Sequence, residues 1–364
     1  MVSIILAGGG SAGHISPMVA TAEALRAADP GVTLACVGTP KGIESTVVPQ
    51  AGLDLTFVPA VPFPRAMNLE LLTMPARLAR AVVAARRILS KHKAQVVVGF
   101  GGYASLPVYL AARSMGIPVV VHEQNPLPGL ANRVAARFAN RVCTSFPNTP
   151  LPKQEYVGLP VRSAISQLDR PALRDAARRE FGLPSVGPVL LVSGGSQGAA
   201  SINRAVEGAM ADLLAAGVSI LHVLGSKNMT PTTIARTDVE AKASYEPVAY
   251  VNQMERAYAA ADLMVGRSGA GTVVETAIVG LPGIFVPLPH GNGEQARNAS
   301  SLVAAGGCVL IPDRDLTAER LRDEVLRIIT HPDVLATMAA AGRGIVPADA
   351  AQRVAAIVLQ AARR

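Results

Sequence analysis

The chain has 364 residues, 50% of them hydrophobic and 16% charged, which is enough to bury the cores of two domains and too apolar for a disordered protein. Cys36, Cys143 and Cys308 stand far apart and outside any CxxC or Cys/His cluster, which excludes a disulfide framework or a cysteine-based zinc site. Of the net charge of +8, +7 falls in residues 1–150. Such an excess suits anionic lipid or nucleic acid, but 4% aromatic residues, no tryptophan and no nucleic-acid motif leave nucleic acid unexpected.

Short β-branched runs alternate with longer alanine-rich segments, beginning with a strand over Val2–Leu6 that enters Gly8-Gly-Gly-Ser-Ala-Gly-His14. Glycines let a backbone approach an anion, and the helix start that follows supplies unpaired N–H groups. Ser16 is the expected cap of that helix and Pro17 its first turn. Gly8, Gly10 and Gly13 satisfy the G-x-G-x-x-G spacing of a dinucleotide fingerprint. The second strand, Thr33–Val37, is followed by no acid until Glu44, which counts against a nicotinamide site. His14 is either a structural histidine or a group that takes a proton from a sugar hydroxyl or binds phosphate. Residues 65–93 carry Arg65, Arg77, Arg80, Arg86, Arg87, Lys91 and Lys93 against Glu70, beside the apolar Leu69, Leu71, Leu72 and Met74. This pattern favours an anionic lipid surface over a merely solvated helix face. With no apolar run near the ~20 residues that span a bilayer and no signal peptide, the membrane contact expected is peripheral.

A strand over Val96–Val98 leads into Gly99-Phe-Gly-Gly-Tyr-Ala-Ser105, and two glycine loops in one half favour a diphosphate pocket. The strand Val119–Val121 ends in His122-Glu-Gln-Asn125, four polar side chains where open α/β sheets place ligands. Asn125 suits a sugar hydroxyl or amide, whereas His122 and Glu123 equally fit a structural pair. A strand over Arg141–Thr144 and the turn-rich Tyr156–Asp169 close this half.

Val189–Val192 then enters Gly194-Gly-Ser-Gln-Gly-Ala199, repeating the opening of the chain, and strands over Ser219–Val223, Leu263–Val265 and Gly283–Val286 follow. The pattern predicts an α/β protein of two Rossmann-like domains whose parallel sheets face each other across a cleft. The domains are expected over residues 1–160 and 161–345, with a C-terminal helix in residues 346–364 that can cross back onto the first. Ser196 and the amides around it suit a nucleotide diphosphate. In Gly266-Arg-Ser-Gly-Ala-Gly-Thr-Val-Val-Glu275, Glu275 either accepts from ribose hydroxyls or balances the helix dipole. Glu294, Gln295 and Asn298 start a helix that offers polar groups to a sugar. Asp313-Arg-Asp315 matches the D-x-D pattern of some metal-dependent sugar-nucleotide enzymes, yet it directly precedes a helix near Thr317 and reads as turn and cap chemistry. Neither a metal nor a cofactor is expected, and the leaving-group charge falls to amides and helix ends.

Together these motifs resemble the MurG family, the UDP-N-acetylglucosamine:undecaprenyl-diphospho-muramoyl-pentapeptide N-acetylglucosaminyltransferases. The resemblance runs from Leu6 to about Asn298 through the first glycine loop with His14, Gly101-Gly-Tyr-Ala-Ser105, His122-Glu-Gln-Asn125, Gly194-Gly-Ser-Gln-Gly-Ala199, Arg267-Ser-Gly-Ala270 and the Gln295 loop. It implies a GT-B fold, inversion at the anomeric carbon, UDP-N-acetylglucosamine as donor and lipid I as acceptor. The expected location is peripheral, on the cytoplasmic face of the cell membrane. It also implies that Ser11, Ala12, Gly13, Asn125, Arg162, Ser196, Val251, Ala270, Glu275 and Gln295 line the donor site, with Val251 on the uracil and Glu275 on the ribose. Gly10, Gly101, Gly102 and Tyr103 are expected on the acceptor diphosphate. His14 is the first choice of base and Glu123 the reserve. Ala12 stands where many members have glycine, which is tolerable if its φ is negative. A UDP-N-acetylglucosamine epimerase shares the architecture but needs no basic patch, and a non-enzymatic basic scaffold needs no polar loops at successive strand ends.

Overall fold

The structure is a computed structural model that describes residues 2–61, 70–195, 198–231, 233–290 and 293–363, with side chains from residue 73 onward in the segment that begins at 70. The chain divides into two compact units, Met1–Arg162 with Pro347–Arg364, and Ser163–Val346.

In the first unit, β1 (Ser3–Ala7), β2 (Thr33–Gly38), β3 (Asp54–Phe57), β4 (Val96–Gly99), β5 (Val119–Glu123), β6 (Arg141–Thr144) and β7 (Gln154–Tyr156) alternate with α1 (Ala12–Ala28), α2 (Glu44–Gln50), α3 (Glu70–Lys91), α4 (Ser105–Ser114) and α5 (Leu130–Ala135). The strands form one sheet in the order β3-β2-β1-β4-β5-β6-β7, and every pairing is parallel. β1, β4 and β5 are buried along their whole length, as strands covered by helices on both faces must be. The strand order reverses between β1 and β4. At that switch point the loops after the two strands lie side by side, which is where open sheets of this kind bind ligands.

The second unit opens with α6 (Ser163–Ser166) and α7 (Arg170–Glu180). It continues through β8 (Val189–Ser193), α8 (Ala200–Ala215), β9 (Ser219–Val223), β10 (Arg236–Asp238), β11 (Ala243–Val248), α9 (Met254–Ala260), β12 (Leu263–Gly266) and α10 (Ala270–Val279). Then come β13 (Gly283–Phe285), α11 (Glu294–Asn298), α12 (Ser300–Ala304), β14 (Cys308–Leu310), α13 (Ala318–Ile329) and α14 (Pro332–Gly342). Its sheet runs β10-β11-β9-β8-β12-β13-β14, parallel except for the β10–β11 pair. Here the order reverses between β8 and β12. The chain leaves the sheet at this switch point at Gly194, after β8, and at Arg267, after β12.

The final helix, α15 (Ala350–Ala362), belongs to the first unit. It lays Val354, Ala355, Ile357, Val358, Leu359 and Ala361 into the same core as Ile4, Leu6, Ile15 and Met18 of β1 and α1. Burying the valine, isoleucine and leucine side chains contributes roughly 1.5–3 kcal/mol each, so α15 is a principal support of α1. Among the described residues no helix is long and apolar enough to cross a membrane.

Candidate active site

Helix α1 begins earlier than expected. Ser11, with extended φ −149° and ψ 157°, precedes the first helical residue, Ala12, and Pro17 lies inside the helix. Proline at that position lacks the N–H that Gly13 C=O would otherwise accept, which leaves a carbonyl as well as the first amides of α1 without helical partners. Ala12 is absent from the residues of positive φ, so its methyl causes no strain. Ser11, Ala12 and Gly13 are exposed, and the first turn of α1 carries no acid to cancel its positive end. That helix start is open to an anion.

His14 is half-buried. Its Nδ1 lies 3.1 Å from Gly9 C=O and 3.0 Å from Ser11 Oγ. A carbonyl only accepts, so Nδ1 carries the proton in that bond and Nε2 is left with a lone pair. Burial pushes the imidazole's pKa down, against upward contributions from the Gly9 bond and the charge of Glu44. The net direction keeps His14 neutral, the form in which Nε2 accepts a proton.

The second glycine loop closes over the first. Gly102 has φ +81°, and a Cβ there would overlap the carbonyl of Gly9, so only glycine fits between the loops. At Gly101, φ +87°, a Cβ would come 3.3 Å from His14 Nε2 and from Asn132 Nδ2. The missing side chain leaves room beside the lone pair. Ser105 Oγ holds the loop from below, 2.9 Å from Ala7 C=O and 2.7 Å from Gly101 C=O. Tyr103 is exposed.

His122 and Glu123 do not pair with each other, because successive residues of β5 point to opposite faces. His122 Nε2 lies 3.0 Å from Gly158 C=O, and its Nδ1 lies 3.1 Å from Gln124 Nε2. The ring is fully buried, and burial lowers its pKa to about 4. Glu123 is buried as well, and its carboxylate accepts from the N–H groups of Asn125 and Gly129, each at 3.0 Å, and from Asn132 Nδ2 at 2.9 Å. Burial raises its pKa although these bonds oppose the shift. With three donors already in place, Glu123 orders the loop that carries Asn125, itself half-buried. Asn132 is the hub: its Oδ1 accepts from Tyr109 Oη at 2.8 Å, and its Nδ2 reaches both Glu123 and His122 C=O. Thus the first loop, the second loop and the β5 terminus converge around Gly101.

Gly10 makes no amide available here. Its N–H donates to Glu44 Oε2 at 3.0 Å. In the sequence Glu44 stands out only as an acid too late for a ribose. Tyr109 and Asn132 carry no sequence signal either, since their mutual bond spans 23 residues and Asn132 meets Glu123 and His122 only across the turn between β5 and α5. A hint of Glu44 is visible in the sequence, as a lone acid two residues after a Gly-Thr-Pro-Lys-Gly turn.

In the second unit, α10 starts at Ala270 behind the side-chain-free Gly269, again with no acid in its first turn. Glu275 is half-buried on α10 and accepts from Tyr258 Oη at 2.7 Å. Gln295 Oε1 accepts from Leu288 N–H at 2.9 Å, which ties Leu288 to α11. Asn298, expected to meet a sugar, is instead buried and donates to Ser268 C=O at 3.0 Å. Val251 is buried. Arg162, half-buried, ends the first stretch of the first unit. Ser196 lies outside the described residues. Arg267 turns inward: it donates to the carbonyls of Val286 and Pro287, to Ser201 Oγ and to the Asp313 carboxylate. Burial raises the Asp313 pKa, but the bonds from Ser201 and Arg267 outweigh it, and the carboxyl lies below its ordinary range. Asp313 thus ties α8, through Ser201, to Arg267 after β12, and Thr317 caps α13 through the N–H of Arg320 at 3.1 Å. Among the described residues no cluster of three or more His, Cys, Asp or Glu side chains is placed to hold a metal.

Known structures share this architecture. The chain superposes on the crystal structure of Acinetobacter baumannii MurG with a TM-score of 0.77 at 27% identity, over 99% of this chain and 100% of that one. The calicheamicin glycosyltransferase CalG4, at 17% identity and a TM-score of 0.69 over 100% and 99% of the two chains, shows the same fold. The class is therefore that of the GT-B glycosyltransferases. The glycosyltransferase family 28 N-terminal domain matches residues 4–144 and the C-terminal domain of that family matches residues 189–354. Two bacterial relatives named UDP-N-acetylglucosamine–N-acetylmuramyl-(pentapeptide) pyrophosphoryl-undecaprenol N-acetylglucosamine transferase align along the chain. That of Cutibacterium acnes is 58% identical, over 100% of this chain and 98% of its own; that of a Nocardioides species is 51% identical, over 98% and 97%. The chain belongs to the MurG family within glycosyltransferase family 28.

Proposed function

We propose that this enzyme transfers N-acetylglucosamine from UDP-N-acetylglucosamine to the 4-hydroxyl of the muramoyl sugar of lipid I, giving lipid II with inversion at the anomeric carbon. The observation that carries the reading is His14 Nε2, an imidazole lone pair beside two interlocked glycine loops and an open helix start. The acceptor O4 bonds to the anomeric carbon as the bond from that carbon to the β-phosphate oxygen breaks. The O4 proton passes to His14 Nε2, and UDP leaves with the electron pair. Amides at the starts of α8 and α10 suit the developing phosphate charge, and those of Ala12 and Gly13 suit an anion on the acceptor side or the donor sugar. Ser11, Asn125, Arg162, Ser196, Val251, Ala270 and Gln295 belong to the donor site in this reading, and Gly101, Gly102 and Tyr103 to the acceptor diphosphate. Gly10 contributes through its loop conformation, since its amide is engaged.

The test is transfer of labelled N-acetylglucosamine to a short-chain lipid I analogue, with and without EDTA. Product that is insensitive to the chelator supports the reading. Loss of the donor's stereochemistry without transfer overturns it in favour of an epimerase.

In this reading Glu275 accepts from the ribose, and charged hydrogen bonds of this kind contribute about 1.5–3 kcal/mol. Glu275→Ala is expected to weaken UDP binding roughly tenfold to a hundredfold by calorimetry, and to lower the melting temperature by a few degrees because the buried Tyr258 Oη loses this acceptor. Unaltered affinity removes the ribose role.

Docking on an anionic membrane surface belongs to the same proposal. Helix α3 packs Ala81, Ala85, Ile88 and Leu89 into the core of the first unit and leaves Arg80, Arg86, Arg87 and Lys91 exposed around Val83. Arg65, Leu69 and the side chains of Leu71 and Leu72 lie outside the described residues. A triple change, Arg80→Gln, Arg87→Gln and Lys91→Gln, is expected to weaken binding to anionic phospholipid vesicles about a hundredfold, on the basis of about 1 kcal/mol per basic residue near such a surface. Equal sedimentation of variant and parent at low salt sinks the idea.

A further inference from the structure

We infer that Glu44, the single peptide group joining Gly9 to Gly10, and His14 form a relay in which a buried carboxylate positions the catalytic imidazole through the backbone. The two ends meet on one peptide: Glu44 Oε2 accepts from Gly10 N–H at 3.0 Å, and Gly9 C=O, the other half of that peptide, accepts from His14 Nδ1 at 3.1 Å. In a trans peptide the N–H and C=O point in opposite directions, so the carboxylate lies on one side of the loop and the imidazole on the other. Polarising the N–H makes the carbonyl a better acceptor. The proton is thereby kept on Nδ1 and the lone pair on Nε2.

The surroundings of Glu44 show that its position is fixed. The side chain is fully buried at the start of α2. Oε1 accepts from Thr39 N–H at 2.9 Å and Thr39 Oγ1 at 2.7 Å. Glycines from three separate places enclose the carboxylate. A Cβ at Gly9 would lie 2.6 Å from Oε1, one at Gly38 would lie 2.6 Å from Cγ, and one at Gly42 would overlap the carboxylate itself. Burial raises the pKa of this group, yet the bonds from Thr39 and Gly10 outweigh it and hold the carboxyl below its usual range. It is therefore ionised. A negative charge beneath a loop that meets phosphate works against anion binding, and burying it costs desolvation. Both costs are explained if the charge serves His14, which becomes an imidazolium as it takes the acceptor's proton. A carboxylate orients and stabilises the histidine of a hydrolase triad in the same sense, there by direct contact. Around the imidazole, Gly101 and Asn132 are uncharged, Ser11 is neutral, and Glu123 is turned to Asn125, Gly129 and Asn132. The charge that acts on His14 is that of Glu44.

The inference rests on His14 being the base of the proposed transfer. Glu44→Gln keeps the shape, removes the charge and sets an amide N–H₂ against a backbone donor. In the full-length enzyme it is expected to lower kcat on the lipid I analogue by roughly ten- to a hundredfold, the scale of a small misplacement in a catalytic group. The donor KM should stay within about threefold of the parent, because the group touches no substrate. The acid limb of the pH–rate profile moves to lower pH, since loss of the carboxylate removes an upward contribution to the His14 pKa. On a His14→Ala background the same change should cost less than about twofold, because the relay then has no end. Wild-type kcat with an unmoved limb, or an equal loss on both backgrounds, overturns the relay. Should Glu44→Gln fold incompletely, Glu44→Asp keeps the charge but falls short of Gly10. It is expected to lower kcat without moving the limb, and full activity in that variant also overturns the relay. A slow His14→Ala variant beside a fully active Glu44→Gln variant defeats the relay alone; a fully active His14→Ala variant defeats the base assignment beneath it.

Discussion

His14→Ala is expected to lower kcat by about two to four orders of magnitude, the usual contribution of a positioned general base, while UDP binding measured by calorimetry changes by less than about threefold. The separation follows from the geometry. His14 Nδ1 is committed to Gly9 C=O and Ser11 Oγ, so the catalytic end, Nε2, adds nothing to a ground-state contact that alanine would lose. Because burial lowers the pKa of the ring, the acid limb of the wild-type rate profile should lie below the ordinary histidine value of 6.5. Above that limb the imidazole is neutral and active; below it the ring is protonated and the rate falls. A variant that retains wild-type turnover, or loses donor affinity in proportion to rate, removes His14 as the base.

A second large effect is expected far from the chemistry. Asp262, between α9 and β12, accepts from Arg174 Nη1 and Nη2 at 2.7 and 3.1 Å, from Arg178 Nη2 at 3.0 Å and from Val189 N–H at 2.9 Å. Arg178 is 1% exposed, and its Nε and Nη1 donate to the carbonyls of Ala260, Pro184 and Ser185. Burial and the neighbouring Arg174 both depress the pKa of Arg178, signs of a charge held where it is costly. Removing one partner of such a pair strands the other, a loss of about 3–5 kcal/mol. Asp262→Ala is therefore expected to lower the melting temperature of the second unit by roughly 6–20 °C. Adding Arg178→Met should recover part of the loss, because it removes the stranded charge. A fall of only a degree or two in the single variant shows that water reaches the guanidinium and that the pair is not buried in effect.

The inner strands were legible for a physical reason. Strands buried on both faces must be apolar throughout, and Val96–Val98, Val119–Val121, Val189–Val192 and Leu263–Val265 all sit inside strands of the structure. The strands not foreseen, β3, β7, β10, β11 and β14, include the four sheet edges. Asp54–Phe57, Gln154–Tyr156 and Arg236–Asp238 are partly or largely solvent-facing, so no burial forces an apolar run on them. Ala243–Val248 carries Ser244, Glu246 and Pro247 and looks like a turn until β9 and β10 flank it. At the candidate site, the glycine loops and polar strand ends announced themselves, because backbone approach to an anion selects residue types locally. Glu44, Asn132 and Asp262 did not. Each works by satisfying backbone groups or side chains brought from elsewhere in the chain, and no spacing rule records that. The start of α1 was misplaced by several residues because Ser16-Pro17 is a good opening signal, while the actual start at Ser11 gains no side-chain cap at all.

The placement of α15 bears on how the molecule is made. The helix that carries His14 spans Ala12–Ala28 and the helix that packs against it Ala350–Ala362, with the whole second unit inserted between them. Domains assemble as units during synthesis, yet this first unit lacks part of its core until residues 350–362 have been made. A nascent chain arrested anywhere short of residue 350 exposes the apolar back of α1, a surface for chaperones and proteases to recognise. The support of the loop that carries His14 is therefore complete only after the whole second unit has been synthesised.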